Sequence, residues 1–318
     1  MTNANSILGV YLSDSLDLEA IYGDALRDGV NDVVLRHPHE IDNPEDVRFA
    51  ICWLPSNQAF EAYPNLELAM SIGAGVDALL AHPGLDESVQ IARVRDPHQA
   101  DLMAGFAAHE VLHHERAFAT LERNATKAHW EPLPMRAPLS AQVAVLGHGT
   151  MGRAVAQAIA ALGFSVRVAC RRPPEAPVKG VTYLSGESAV MDAADGADYL
   201  INVLPLTSST ENVLNKALFA KLAPGAWLVQ IGRGEHLVED DLVEALKCGY
   251  LAGASLDVFR QEPLPEDHPF WRDARLRITP HIASDSLPEV VAGQVVDTAR
   301  ALRDGEPLAM GVDRARGY

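Results

Sequence analysis

The chain has 318 residues, 48% of them hydrophobic and 22% charged, which suits a globular protein large enough for two domains. Lys and Arg number 26 against 43 Asp and Glu, a net charge of −17. Such an acidic balance argues against nucleic acid or an anionic membrane as partner, though not against a small anion held by a local positive site. Cys52, Cys170 and Cys248 are far apart and form no Cys-x-x-Cys, as expected of a cytoplasmic protein without a zinc ribbon. Met1 to Tyr11 lacks the basic segment and apolar length of a signal peptide, and no stretch has the length of a membrane span.

In chain order, Ile7–Leu12 reads as a strand, Leu16–Arg27 as a helix and Asp32–Leu35 as a second strand. Phe49–Leu54, stopped by Pro55, Leu66–Ile72, running into Gly73-Ala74-Gly75, and Val89–Val94 follow as strands. This alternation predicts a parallel sheet with crossover helices. From His98 to about Lys127 there is no Pro and a single Gly, Gly105, which predicts one unusually long helix.

A loop with Pro132, Pro134 and Pro138 leads to Val143-Ala144-Val145-Leu146-Gly147-His148-Gly149-Thr150-Met151-Gly152, an apolar strand entering a Gly-x-Gly-x-x-Gly turn. Val155, Ala158, Ile159 and Leu162 then have helical spacing. In a dinucleotide site Gly147 permits the tight turn, Gly149 admits the pyrophosphate and Gly152 lets helix pack on strand. The helix N-terminus offers its N–H groups to the phosphates.

Further strands are expected near Ser165–Cys170, Asp198–Val203, Ala226–Ile231, Ala252–Asp257 and Leu276–Thr279, with helices near Gly186–Asp195, Lys216–Leu222 and Glu239–Lys247. A last helix, about Leu287–Asp304, is expected to return to the first domain. The expected fold is therefore α/β: two Rossmann-like or flavodoxin-like doubly wound parallel-sheet domains with the active site in the cleft between them. A substrate domain of residues 1–100 plus 283–318 would flank a dinucleotide-binding domain of residues 101–282.

Ligands in such sheets bind beyond the carboxyl ends of the strands. Three ionisable residues stand there: Arg233 between Gly232 and Gly234, Glu262 before Pro263, and His281 after Pro280. Reduction of a 2-keto acid needs a cation for the carboxylate and ketone, which suits Arg. It needs a proton donor near neutral pH, which suits His, and a carboxylate to orient the imidazole. A nicotinamide supplies the hydride. Each residue alone also suits an ordinary solvated loop; the ordered set after a dinucleotide turn points to catalysis.

These motifs resemble the D-isomer-specific 2-hydroxyacid dehydrogenases over essentially the whole chain, through the Gly147–Gly152 turn, Gly232-Arg233-Gly234, Leu256-Asp257-Val258-Phe259 with Glu262-Pro263, and Thr279-Pro280-His281. Within that family Cys52-Trp53-Leu54-Pro55, Gly73-Ala74-Gly75-Val76-Asp77, His129-Trp130-Glu131-Pro132-Leu133-Pro134, Val238-Glu239-Asp240-Asp241-Leu242 and the tail Val312-Asp313-Arg314-Ala315-Arg316-Gly317-Tyr318 resemble the glyoxylate/hydroxypyruvate reductase A group. The resemblance implies reduction of glyoxylate and hydroxypyruvate, with a larger 2-keto acid or a non-enzymatic dinucleotide sensor as alternatives. It implies that Arg233 holds the carboxylate and ketone and that His281, paired with Glu262, is the acid–base. Backbone N–H groups of Ala74 and Gly75 would receive the carboxylate, Trp53 would narrow the pocket, and Asp257 would meet the nicotinamide amide. Leu204, Pro205 and Thr207 would line the cofactor cleft, and Thr150, Met151, Ile231, Gly232 and Ala283 complete the cofactor set. Gly105 and Phe106 depart from the Glu and Tyr that the group often carries, which removes the contacts of that Glu. A homodimer through the long helix is also implied.

Two further readings concern cofactor and metal. Enzymes that prefer NAD usually end the second strand of this unit with an acid, which accepts hydrogen bonds from the ribose hydroxyls. Eighteen positions after Gly152 stands Cys170, followed by Arg171 and Arg172. Room for a 2′-phosphate and two guanidinium groups predict NADPH over NADH, with NADH usable. His109-Glu110-Val111-Leu112-His113 spells a zinc-protease pattern, but no Gly-x-x-His continuation follows His113, and the expectation is a polar helix face without metal.

Overall fold

The computed structural model describes residues 6–27 and 31–314. Ala315–Tyr318 of the tail motif and the first five residues of the N-terminal reading lie outside them. The chain divides into two compact units, Met1–His98 with Asp285–Tyr318, and Gln99–Ser284.

The first unit contains β1 (Ile7–Ser13), α1 (Leu18–Arg27), β2 (Val33–Arg36), β3 (Val47–Trp53), β4 (Leu68–Ser71), a short α2 (Asp77–Leu80) and β5 (Gln90–Arg93). The five strands are all parallel, in the order β2-β1-β3-β4-β5. Strands covered on both faces read as near-continuous apolar runs. In β3, Val47, Phe49, Ala50, Ile51 and Cys52 are all buried. Strand order reverses at β1, so the carboxyl ends of β1 and β3 form the switch point where such sheets take ligands. Trp53 ends β3 there.

The second unit contains α3 (Pro97–Glu115), α4 (Phe118–Thr126), β6 (Gln142–Leu146), α5 (Thr150–Ala161), β7 (Ser165–Ala169), β8 (Val181–Leu184), α6 (Ala189–Ala194), β9 (Tyr199–Asn202), α7 (Lys216–Phe219), β10 (Ala226–Gln230), α8 (Glu239–Cys248), β11 (Leu251–Leu256) and β12 (Leu276–Ile278). Its seven parallel strands run β12-β11-β10-β9-β6-β7-β8, the dinucleotide-fold order with one strand added, reversing between β6 and β9. Ala189, Leu200, Leu228 and Leu256 fill one face, and Val155, Ile159, Val166 and Ile201 the other. The chain then returns as α9 (Pro288–Asp304), whose Val291, Ala292, Val295 and Ala299 join Leu18, Tyr22 and Leu26 of α1 in the first unit's core.

Two expectations need correction. The single long helix is two helices, because Ala117 takes a left-handed conformation (φ 51°, ψ 37°). No Gly or Pro marks the break. Tertiary contacts set it: Glu115, the last residue of α3, accepts Arg136 Nε at 2.8 Å and Tyr199 Oη at 2.7 Å. These bonds offset the ~1–2 kcal/mol that a left-handed L-residue costs. Strand β8 was also not anticipated; Val181–Leu184 is a four-residue edge strand following Gly180.

Candidate active site

Gly147 follows β6 with φ 106°, a conformation that side chains rarely adopt, and its N–H bonds Ala169 O at 3.0 Å. A Cβ on Gly152 would lie 2.1 Å from Gly147 O, so the first turn of α5 presses directly on the glycine turn. A Cβ on Gly149 would meet nothing within 4 Å. Gly149 and Thr150 are exposed and Met151 is half-buried, so the N-terminus of α5 opens onto free space in front of the glycine turn. This is the shape that close approach of a pyrophosphate requires. His148 meets Tyr183 edge to face at 4.9 Å; burial and the nearby Arg153 lower its pKa and keep it neutral.

At the end of β7 the Cys170 thiol lies 3.5 Å from Leu184 O, with burial raising its pKa. The position usually occupied by an acid therefore carries no charge at neutral pH. Arg171 and Arg172, next in the chain, are exposed.

Arg233, Glu262 and His281 lie on the loops after β10, β11 and β12, at the same carboxyl end of the parallel sheet as the glycine turn. His281 Nδ1 lies 2.7 Å from Glu262 Oε2, while Glu262 Oε1 accepts Phe259 N–H at 2.9 Å. Burial acts to raise the Glu262 carboxyl. The His281 hydrogen bond and charge, the Phe259 N–H and the Arg233 charge outweigh it and hold the group below the usual range. An ionised Glu262 fixes a proton on His281 Nδ1 and leaves Nε2 as the nitrogen that can exchange one. A Cβ on Gly234 would fall 1.9 Å from the Phe259 carbonyl carbon, so the Arg233 loop lies hard against the loop that carries Glu262.

His281 itself has φ 54°. Buried Asp257 holds it there: Oδ1 accepts Thr279 Oγ1 at 2.6 Å and Ile282 N–H at 2.9 Å, Oδ2 accepts Ala283 N–H at 2.9 Å, and Asp257 O accepts His281 N–H at 2.9 Å. Oδ2 keeps capacity for one more donor.

A polar set not anticipated from sequence seats Arg233. Asn202, Gln230 and His236 are fully buried. Asn202 Nδ2 donates to Gln230 Oε1 at 2.8 Å and approaches His236 Nδ1 at 2.9 Å. His236 Nδ1 also accepts Arg233 N–H at 3.1 Å, and Gln230 Nε2 donates to Arg233 O at 2.7 Å. Two donors on Nδ1 leave the proton on Nε2, which lies 3.3 Å from Pro205 O. The network thus ties Arg233 to the segment of Leu204, Pro205 and Thr207 after β9. The signal was present: Asn202 and Gln230 are polar residues closing the apolar strands β9 and β10.

In the first unit, Ala74 and Gly75 follow β4. Ser71 Oγ donates to Gly75 O at 2.7 Å, Arg93 Nη1 donates to Ala74 O at 2.8 Å, and a Cβ on Gly73 would meet the Trp53 ring at 3.0 Å.

Glu110 of the zinc-protease pattern is buried, accepting Ser255 Oγ and Arg277 Nε, the latter at 2.8 Å. His113 Nε2 faces Arg277 Nη1 at 3.1 Å, and burial followed by the Arg277 charge lowers its pKa. The carboxylate and one imidazole of that motif clasp α3 to β11 and β12. No helix among the described residues is long and apolar enough to cross a membrane.

Residues 108–283 match the family model for the D-isomer specific 2-hydroxyacid dehydrogenase NAD binding domain. The chain is 40% identical to the glyoxylate/hydroxypyruvate reductase A of Serratia proteamaculans over 282 residues, 87% of this chain and 89% of that protein. It is similar to the crystal structure of a D-isomer specific 2-hydroxyacid dehydrogenase from Xanthobacter autotrophicus in complex with NADPH and MES, with a TM-score of 0.87 at 36% identity over 99% of this chain and 100% of that one. The NADPH-dependent glyoxylate/hydroxypyruvate reductase of Sinorhizobium meliloti, in complex with NADP and sulfate, superposes with a TM-score of 0.88 at 29% identity over 98% of this chain and 100% of that one.

Proposed function

This chain belongs to the D-isomer specific 2-hydroxyacid dehydrogenase family, and we propose that it reduces small 2-keto acids, glyoxylate to glycolate and hydroxypyruvate to D-glycerate, at the expense of NADPH. The observation that carries the reading is the 2.7 Å Glu262–His281 pair at the carboxyl end of the sheet that also bears Arg233 and the glycine turn. The same site would serve a larger 2-keto acid, since carboxylate and ketone are common to all.

The bound reduced nicotinamide supplies the hydride. Arg233 holds the substrate carboxylate and polarises the ketone, a contact that strengthens as negative charge grows on the oxygen. His281 Nε2 delivers its proton to that oxygen, and Glu262 keeps the ring turned for the transfer. In the first unit, N–H groups of Ala74 and Gly75 receive the carboxylate and Trp53 limits substrate size. Gly147, Gly149, Thr150, Met151 and Gly152 take the pyrophosphate. Arg171 and Arg172 take the 2′-phosphate, for which the uncharged Cys170 leaves room. Ile231, Gly232, Asp257 and Ala283 flank the nicotinamide.

Exposed Leu102, Phe118 and Leu121 on α3 and α4, with Trp130, Met135 and Leu139 later in the chain, support a homodimer through this segment. The three unpaired cysteines suit a cytoplasmic setting. A panel of 2-keto acids offered with NADPH and with NADH tests the activity. Steady NADPH oxidation with glyoxylate or hydroxypyruvate is expected, and no oxidation with any 2-keto acid would overturn the proposal.

A further inference from the structure

β5 ends at Arg93, a half-buried arginine absent from the roles assigned above. Its Nη1 donates to Ala74 O at 2.8 Å. Its Nε is buried and meets no acceptor among the described residues. The charge that bears on it is a second cation, Arg95; burial and that neighbour lower its pKa without removing its proton.

The bond to Ala74 O sets the direction of a neighbouring donor. Ala74 C=O and Gly75 N–H belong to one planar trans peptide and point in opposite directions. Holding the carbonyl toward Arg93 therefore turns Gly75 N–H away from it. Ser71 fixes the neighbouring peptide in the same manner, donating to Gly75 O at 2.7 Å and accepting Gly73 N–H at 3.3 Å. A charge-assisted bond to the carbonyl also polarises the amide and makes its N–H a stronger donor. β5 is itself held along its open edge. Arg93 N–H donates to Met310 O at 3.2 Å, Val312 N–H donates to Ile91 O at 2.8 Å, and Ala92 pairs antiparallel with Gly311.

We infer that Arg93 is a positioning residue of the carboxylate subsite: it orients the Ala74–Gly75 peptide so that Gly75 N–H faces the substrate carboxylate, and places a positive charge behind that donor. This rests on the function proposed above.

The test compares Arg93→Met and Arg93→Lys with the unmodified protein. In Arg93→Met, KM for glyoxylate should rise by about tenfold or more, the worth of one charge-assisted hydrogen bond, with kcat within about threefold. NADPH affinity, read by fluorescence titration, should stay unchanged. Arg93→Lys keeps the charge without the planar fork and should fall between the two. Oxalate, a mimic of the carboxylate and its adjacent oxygen, is titrated calorimetrically with and without saturating NADPH, and should bind about tenfold more weakly to Arg93→Met. The oxalate comparison needs no turnover, so an unmodified protein that reduces no 2-keto acid sinks the proposed function and leaves the Arg93 test intact. If Arg93→Met does not fold, Arg93→Lys carries the comparison. Oxalate affinity equal in variant and unmodified protein, absence of binding to both included, overturns the inference, as does a parallel loss of NADPH affinity.

Discussion

Alanine at Gly149 and alanine at Gly152 should have opposite effects, although each adds one methyl group to the same turn. Gly149 has φ −79° and ψ −165°, open to any residue, and its added Cβ meets nothing within 4 Å. As the residue preceding α5 it loses a few tenths of a kcal/mol of capping on becoming Ala, and recovers about 0.4–1 kcal/mol from the less flexible unfolded chain. Tm should therefore move by no more than about 2 °C. The methyl group, however, projects into the open space that the pyrophosphate would use. If the pyrophosphate loses one or two charge-assisted bonds at roughly 1.5–3 kcal/mol each, NADPH affinity should fall at least about tenfold. At Gly152 the added Cβ lies 2.1 Å from Gly147 O, a backbone atom that yields only if helix and turn separate. Overpacking of this kind costs about 1–3 kcal/mol or more, or roughly 2–10 °C in Tm for a unit of this size. Thermal melting and a fluorescence titration with NADPH read both effects. A stably folded Gly149→Ala variant that binds NADPH within twofold of the unmodified protein would refute the reasoning.

Arg171→Ala with Arg172→Ala should erase most of an NADPH preference of at least about tenfold in kcat/KM and leave NADH kinetics nearly unchanged; equal kcat/KM for the two cofactors in the unmodified protein contradicts it. His281→Ala should lower kcat by about two to four orders of magnitude, and Arg233→Ala should both raise KM and lower kcat; near-normal steady-state kinetics in either variant removes that residue from its role. Light scattering at micromolar concentration should give twice the mass of the 34.3 kDa chain; a monomer there excludes the dimer. Asp32 accepts Arg300 Nη2 at 2.7 Å and Arg303 Nη1 at 2.8 Å, which hold its carboxyl well below the ordinary 3.8. A depressed carboxyl stabilises the fold fully above its unfolded value and loses that contribution as pH falls through the folded one. Stability of the unmodified protein should thus decline more steeply below about pH 4 than that of Asp32→Asn, and parallel denaturation curves would contradict the link.

Much of the candidate site was legible because parallel sheets place ligands beyond strand ends, so the residues after each apolar run were candidates by position alone. Gly147, Arg233, Glu262 and His281 were singled out in that way. Their support was harder to read. Asp257 was read as a cofactor contact, and three of its side-chain hydrogen bonds also tie the loop that holds His281 at positive φ. Gly234 passed as a flank of Arg233, although its role is to let Phe259 approach. Pairings across hundreds of residues, such as Asp32 with Arg300, leave no local pattern. The break at Ala117 was invisible for the same reason: Arg136 and Tyr199 fix it, not the residues around it.

The passage of the chain from one unit to the other and back has a consequence for biosynthesis. The unit Gln99–Ser284 is uninterrupted, so it can fold as soon as it is translated. Strands β1–β5 are made first but lack α9, whose Val291, Val295 and Ala299 complete their core and whose Arg300 reaches back 268 residues to Asp32. Closing so long a loop between an early and a late segment is slow on entropic grounds. Once the inserted unit has folded, it shortens the effective separation between them. The earlier-made half of the enzyme should therefore be the last to mature, and its apolar face the one exposed to aggregation or chaperone capture in the interval.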